Sequence, residues 1–132
     1  MKVFLSHGSR DAWVAQQMAL CIAGCGAETY LDVNDVATGD DFKTQIRAEI
    51  ALADELVVLF TPFSIRRSWV WVEIGAAWAL GKRIVGIMYG MTEAQLEKAS
   101  GGKAVLADLH LRDLNGFDTY LEELRRRIGD GR

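Results

Sequence analysis

Cysteine is scarce. Cys21 and Cys25 are the only two, and their spacing of four along an expected helix is not that of a disulfide framework. With His7 and His110 as the only histidines, a tetrahedral zinc set is not available, so no metal site is expected and the thiols are read as reduced and buried. Long apolar runs are missing too. The opening Met1-Lys2-Val3-Phe4-Leu5-Ser6 is too short for a signal-peptide core, and no stretch approaches the roughly 20 apolar residues of a spanning helix. A cytoplasmic protein without membrane contact is expected. Basic excess is absent as well: the net charge is -3, which argues against direct nucleic-acid binding. The basic groups that exist, Arg66-Arg67, Lys82-Arg83 and Arg125-Arg126-Arg127, are short and suit loops or helix ends. Of these, Arg66-Arg67 is the one placed for phosphate contact. There is no internal repeat, low-complexity segment or interdomain linker.

What remains is an ordinary globular composition. Of the 132 residues, half are hydrophobic and a quarter charged, which fits one domain over residues 1–132 with a core of its own. Lys2 to Ser6 reads as a short strand, and His7 to Asp11 as a loop ending in a helix cap. From Ala12 a helical period runs through Val14, Met18, Cys21 and Ile22 until Gly24 and Gly26 stop it. Glu28 to Asp32 reads as a second strand. Residues 33–41 are polar and aperiodic, a loop. Phe42, Ile46 and Ile50 mark a second helix, capped near Thr38 or Asp40. Leu56 to Phe60 is an unbroken apolar run suited to a strand buried on both faces. Arg83 to Met88 is another strand, Met91 to Ala99 a short helix, and Val105 to Leu111 holds a last edge strand. Phe117, Tyr120, Leu121, Leu124 and Ile128 give a final amphipathic helix with Gly129 beyond it. Strands alternating with helices predict a doubly wound α/β domain with a parallel sheet of about five strands. Such folds bind ligands beyond the carboxyl ends of the strands.

The most informative stretch is Ser68 to Lys82. As a helix it carries Val70, Ile74, Ala77 and Trp78 on one core-facing stripe. Glu73 lies beside that stripe, one turn after Trp69. A carboxylate among indoles is either a solvated edge charge or a site group. The loops expected at the carboxyl ends of the strands are Ser6 to Asp11, Asp32 to Asp41, Thr61 to Ser68 and the one after Met88, and Glu73 follows the third of them, placed to face the same crevice.

Three segments in order carry a resemblance: Val3-Phe4-Leu5-Ser6-His7-Gly8-Ser9-Arg10-Asp11, Tyr30-Leu31-Asp32 leading to Thr38-Gly39-Asp40, and Trp69 with Glu73 in a WxxxE pattern. Together they resemble the Toll/interleukin-1 receptor (TIR) domain of bacterial type, in box 1, the BB loop and the signature of enzymatic members. The resemblance covers nearly the whole chain. It departs from the family at Thr38-Gly39, where many BB loops have proline-glycine, and at Asn115-Gly116-Phe117, where the animal Phe-Trp is absent. It implies a flavodoxin-like sheet of order 2-1-3-4-5. It further implies a Thoeris-like standalone NAD glycohydrolase or cyclase of antiphage defence, with Glu73 as the catalytic residue. NAD is then the substrate, no cofactor is needed, and a separate effector reads the ADP-ribose or cyclic ADP-ribose product. Self-association through TIR contacts, with a neighbour's BB loop completing the site, is implied as well.

The chemistry is consistent with a single acid. Glycoside hydrolysis ordinarily uses two carboxylates, one of which protonates the leaving group. Nicotinamide on NAD is already cationic and departs neutral, so the remaining carboxylate has only to meet the positive charge that grows at the anomeric carbon. Trp69 supplies a wall for a flat ring. Ser6, His7 and Gly8 form either a phosphate- or ribose-binding turn or a plain strand-to-helix turn. His7 either orients substrate or caps its loop. Asp32 either contacts ribose or holds its loop. Asp35, Asp40 and Asp41 shape the BB-like loop, and Ser68 either borders the site or is the N-cap of its helix. Two other functions stay open: a non-catalytic TIR–TIR interaction module, and a nucleoside deoxyribosyltransferase-like enzyme.

Overall fold

An apolar run without alternation needs cover on both faces, and the run at Leu56 has it. In the computed structural model, which describes residues 1–31, 40–100 and 104–130, strand β3 (Glu55–Phe60) has every residue buried. It pairs with β1 (Lys2–Ser6) on one side and β4 (Arg83–Met88) on the other. Strands β2 (Glu28–Leu31) and β5 (His110–Asp113) form the edges. All four pairings are parallel and the order is β2-β1-β3-β4-β5, the flavodoxin-like topology expected.

The strand period of two divides the core. Val3, Leu5, Val57, Leu59, Val85 and Ile87 face helices α1 (Ala12–Gly24) and α5 (Phe117–Asp130). Phe4, Leu56, Val58, Phe60, Ile84 and Met88 face α2 (Asp40–Leu52), α3 (Ser68–Ala79) and α4 (Glu93–Ala99). Adjacent residues thus serve opposite layers, which is why neither alternation nor polarity marks these strands. Helix α4 starts at a capping box: Thr92 Oγ1 accepts from the Gln95 amide at 3.2 Å, and Gln95 Oε1 accepts from the Thr92 amide at 2.8 Å.

Several elements differ from expectation. The last strand begins only at His110, because Ala104–Asp108 is a 3-10 turn. Helix α5 runs through Gly129 to Asp130. On α1 the inward stripe is Ala15, Met18 and Ile22, which turns Cys21 out to solvent and leaves Cys25 half-buried. The thiols are therefore not both buried. Trp78 is 52% exposed rather than in the core; near the end of α3 its indole N–H donates to Asp108 Oδ2 at 2.8 Å. Asp32, Asp35 and Thr38 lie outside the described residues. Among the described residues no helix is long and apolar enough to cross a membrane.

At the amino ends of the strands sits a buried charge. Glu55, the first residue of β3, is 2% exposed. Arg127 of α5 grips it with two bonds, Nε to Oε1 at 3.1 Å and Nη2 to Oε2 at 3.0 Å. Tyr120, two turns earlier on α5, donates its hydroxyl to Oε2 at 2.9 Å. Burial, and then the negative charge of Glu55, push the Tyr120 phenol well above its ordinary value, with Arg127 opposing. The folded state therefore holds this proton more tightly than the unfolded chain. The resulting stabilisation is complete below the unfolded value near 10 and is lost as pH rises toward the folded value. Above about pH 10 the wild type should lose up to about 1.4 kcal/mol per pH unit through this group. Urea unfolding of Tyr120→Phe over the same range should show a correspondingly shallower decline; equal slopes would refute the assignment.

Candidate active site

Two loops leave the carboxyl ends of β1 and β3 side by side, and they are bound into one unit. Asp11 lies in the first and Thr61 in the second; Thr61 Oγ1 donates to Asp11 Oδ2 at 2.5 Å. The same hydroxyl accepts the amides of Phe63 at 3.2 Å and Ser64 at 3.0 Å. Ser64 Oγ in turn donates to the Leu59 carbonyl at 2.8 Å. Gly8 closes against this turn: a Cβ there would lie 3.2 Å from Ser64 Cα, so any larger residue pushes the loops apart. Arg67 Nη1 donates to the His7 carbonyl at 2.8 Å and completes the tie.

Helix α3 starts from this platform. Its indole at Trp71 donates to the Ile65 carbonyl at 2.9 Å, and Val70, Ile74 and Ala77 are fully buried. That rotation turns Glu73 inward. Its carboxylate is 1% exposed and accepts the Ser6 hydroxyl at 2.6 Å. It is not a solvated edge charge. Burying a carboxylate costs several kcal/mol even after relaxation, so a short charge-assisted bond from a serine that is itself fully buried is the kind of partner it requires.

Glu73 and Trp69 line a cleft of about 270 Å³ between α3 and α2. Val72 and Ala76 of α3 and Ile46 and Ile50 of α2 make its walls apolar. Lys43 and Arg47, one turn apart on α2, bring two cations to the same cleft. An apolar pocket with one buried acid, one indole and two cations suits a flat, positively charged ring attached to an anionic tail.

Of the residues singled out in the sequence, Ser6 and Glu73 are in direct contact and Trp69 shares the cleft with Glu73. His7 is buried at 2% exposure. Gly8 lines a different cleft. Ser68 is exposed and does not cap α3: Arg67 holds the N-cap position, with no side-chain cap bond. Asp32 lies outside the described residues. Sequence reasoning missed Lys43 and Arg47, whose four-residue spacing beside Ile46 and Ile50 was the available signal. It also missed the Asp11–Thr61 tie, for which nothing local gives a signal.

A family model for the TIR domain matches residues 3–127. The TIR domain of a Toll-related receptor from Hydra magnipapillata superposes with a TM-score of 0.67 at 18% identity, over 97% of this chain and 95% of that one. The TIR domains of the activated Roq1 resistosome give 0.66 at 14% identity, over 98% of both chains. The CMP N-glycosidase BcmB of Clostridium botulinum gives 0.62 at 17% identity, over 94% of this chain and 98% of that one. At such identities the likeness is one of fold. No curated protein matches the chain in sequence.

Proposed function

Since the chain belongs to the TIR domain family, we propose that it cleaves the bond between nicotinamide and ribose in NAD, with Glu73 as the catalytic residue. The observation that carries this reading is a buried carboxylate, 1% exposed and held by Ser6 at 2.6 Å, that faces a cleft with Trp69. Ser6 fixes one oxygen of the acid and thereby its orientation. The acid stabilises the oxocarbenium charge as the neutral nicotinamide departs. Trp69 stacks on a ring and keeps water from it, while the positive field of Lys43 and Arg47 steers the net anionic dinucleotide toward the cleft. The product is ADP-ribose or a cyclic isomer that a separate effector reads, in a Thoeris-like antiphage role of bacterial type in the cytoplasm. Self-association completes the site.

A second reading, hydrolysis of a pyrimidine nucleotide, takes its motive from the fold shared with a CMP N-glycosidase. Cytosine is a poorer leaving group and calls for an acid to protonate it. Among the described residues Glu73 is the only carboxylate lining the cleft, which favours NAD. Incubation with NAD or CMP followed by chromatography separates the readings. Nicotinamide release from NAD is the expected result. Cytosine release without nicotinamide, or no turnover at any protein concentration up to that of self-association, overturns the NAD reading.

A further inference from the structure

Where the turn after β1 meets the turn before α3 lies a second cleft of about 310 Å³. Among the described residues it shares no lining residue with the glutamate cleft. Arg10 reaches it from the first loop, Arg66 and Arg67 from the turn before α3, and Gly8 contributes to its lining. Among the described residues no carboxylate lines it. Among the described residues neither Arg10 nor Arg66 forms an ion pair; the Arg10 guanidinium lies 5.0 Å from the centre of the Phe63 ring. Two exposed guanidinium groups, Arg10 and Arg66, share one concavity, and an entering anion relieves their mutual repulsion. Arg67 is already oriented by its bond to the His7 carbonyl. The floor is stiff, because Gly8 and Ser64 are in close approach and Asp11 binds Thr61. One oriented guanidinium fork at Arg67 with two exposed ones beside it matches the oxygens of phosphate, which such forks bind in pairs.

We infer that this arginine cleft binds a phosphate or diphosphate group. Two sources share that chemistry. One is the diphosphate of the substrate itself, which rests on the NAD reading above: Arg67 precedes Glu73 by six residues, ~9 Å at the helical rise, within the span of one dinucleotide. The other is a separate phosphate compound that occupies the cleft independently of catalysis.

The test is titration calorimetry of the whole chain with inorganic pyrophosphate, at low and high salt. Wild type should bind, more weakly as salt rises. Arg66→Ala and Arg10→Ala should each weaken binding about tenfold, the scale of one lost charged hydrogen bond. Both residues are exposed, and circular dichroism checks that each variant is folded. Should Arg10→Ala disturb the turn by uncovering Phe63, Arg66→Gln serves in its place. Absence of pyrophosphate binding at millimolar concentration, or unchanged affinity in Arg66→Ala, overturns the inference. Competition of pyrophosphate with NAD, together with a raised KM in Arg66→Ala, identifies the substrate as the source. Binding without competition identifies a separate ligand. This readout needs no turnover, so a failure to cleave NAD leaves it standing, and a failure to bind pyrophosphate leaves the role of Glu73 standing.

Discussion

Glu73→Gln should lower the rate of NAD cleavage about 10²- to 10³-fold, the usual scale for removing one preorganised electrostatic contact to a charged transition state. The upper end is expected, because Glu73 is the one carboxylate lining its cleft among the described residues. Glutamine keeps the volume, and its amide oxygen still accepts the Ser6 hydroxyl, so the fold should survive. Neutralising a side chain that is 1% exposed also removes a desolvation cost, so stability should hold or rise slightly. A suitable control is Glu49→Gln on α2. Glu49 pairs with Lys2 at 2.7 Å, but the two side chains are 21% and 26% exposed, and such pairs contribute about 0–1 kcal/mol. That variant should turn over NAD at the wild-type rate. Equal rates for wild type and Glu73→Gln, with matching circular dichroism, would show that Glu73 is not the catalytic residue.

The largest loss of stability is expected at the opposite end of the sheet. Arg127→Met strands the buried carboxylate of Glu55, and breaking a buried pair from one side typically costs about 3–5 kcal/mol. That is a large share of the 5–15 kcal/mol that holds a typical domain. The reverse change should be milder. Glu55→Gln still accepts from Tyr120, and the Arg127 side chain, 23% exposed, has access to water. The double variant Glu55→Gln with Arg127→Met should therefore regain most of what Arg127→Met loses. Urea midpoints of the three proteins decide the matter. A loss under about 1 kcal/mol for Arg127→Met, or a double variant no more stable than that single one, would mean that the pair does not secure α5 to the sheet.

These two acids also show what a sequence exposes and what it conceals. Glu73 was conspicuous because it interrupts the neighbourhood of a core stripe, and Val70, Ile74 and Ala77 fix by their period which way the helix turns. Glu55 was not, because a charge at the start of an apolar run looks like a strand end in water. Its partners Tyr120 and Arg127 lie 65 and 72 positions away, beyond any local window. The β strands were legible to within a residue or two wherever both faces are covered. Edge strand β5, half-buried and only four residues long, starts later than the sequence suggests, because a short, partly wet strand has no distinctive pattern. Trp78 was assigned to the core because period gives a direction around the helix axis. Period does not fix the exact rotation of the helix, and α3 turns Glu73 and Ala77 inward and leaves Trp78 at the edge of the stripe, 52% exposed. Lys43 and Arg47 were read past for a related reason: cations on a helix flank are usually solvated, and only the packing of α2 against α3 brings these to Glu73.

The bond between Ser6 and Glu73 joins residues 67 positions apart, and β1 pairs with β3 across 52. Contacts of this range form slowly, since loop closure must precede any gain from them. Neither the first half of the chain nor the second holds both partners together with the strands that align them. A fragment cut anywhere between Ser6 and Glu73 therefore carries the acid without its serine. The bond forms only once β1 has paired with β3 and α3 has packed on them, so the buried acid gains its serine through tertiary assembly and not through local structure.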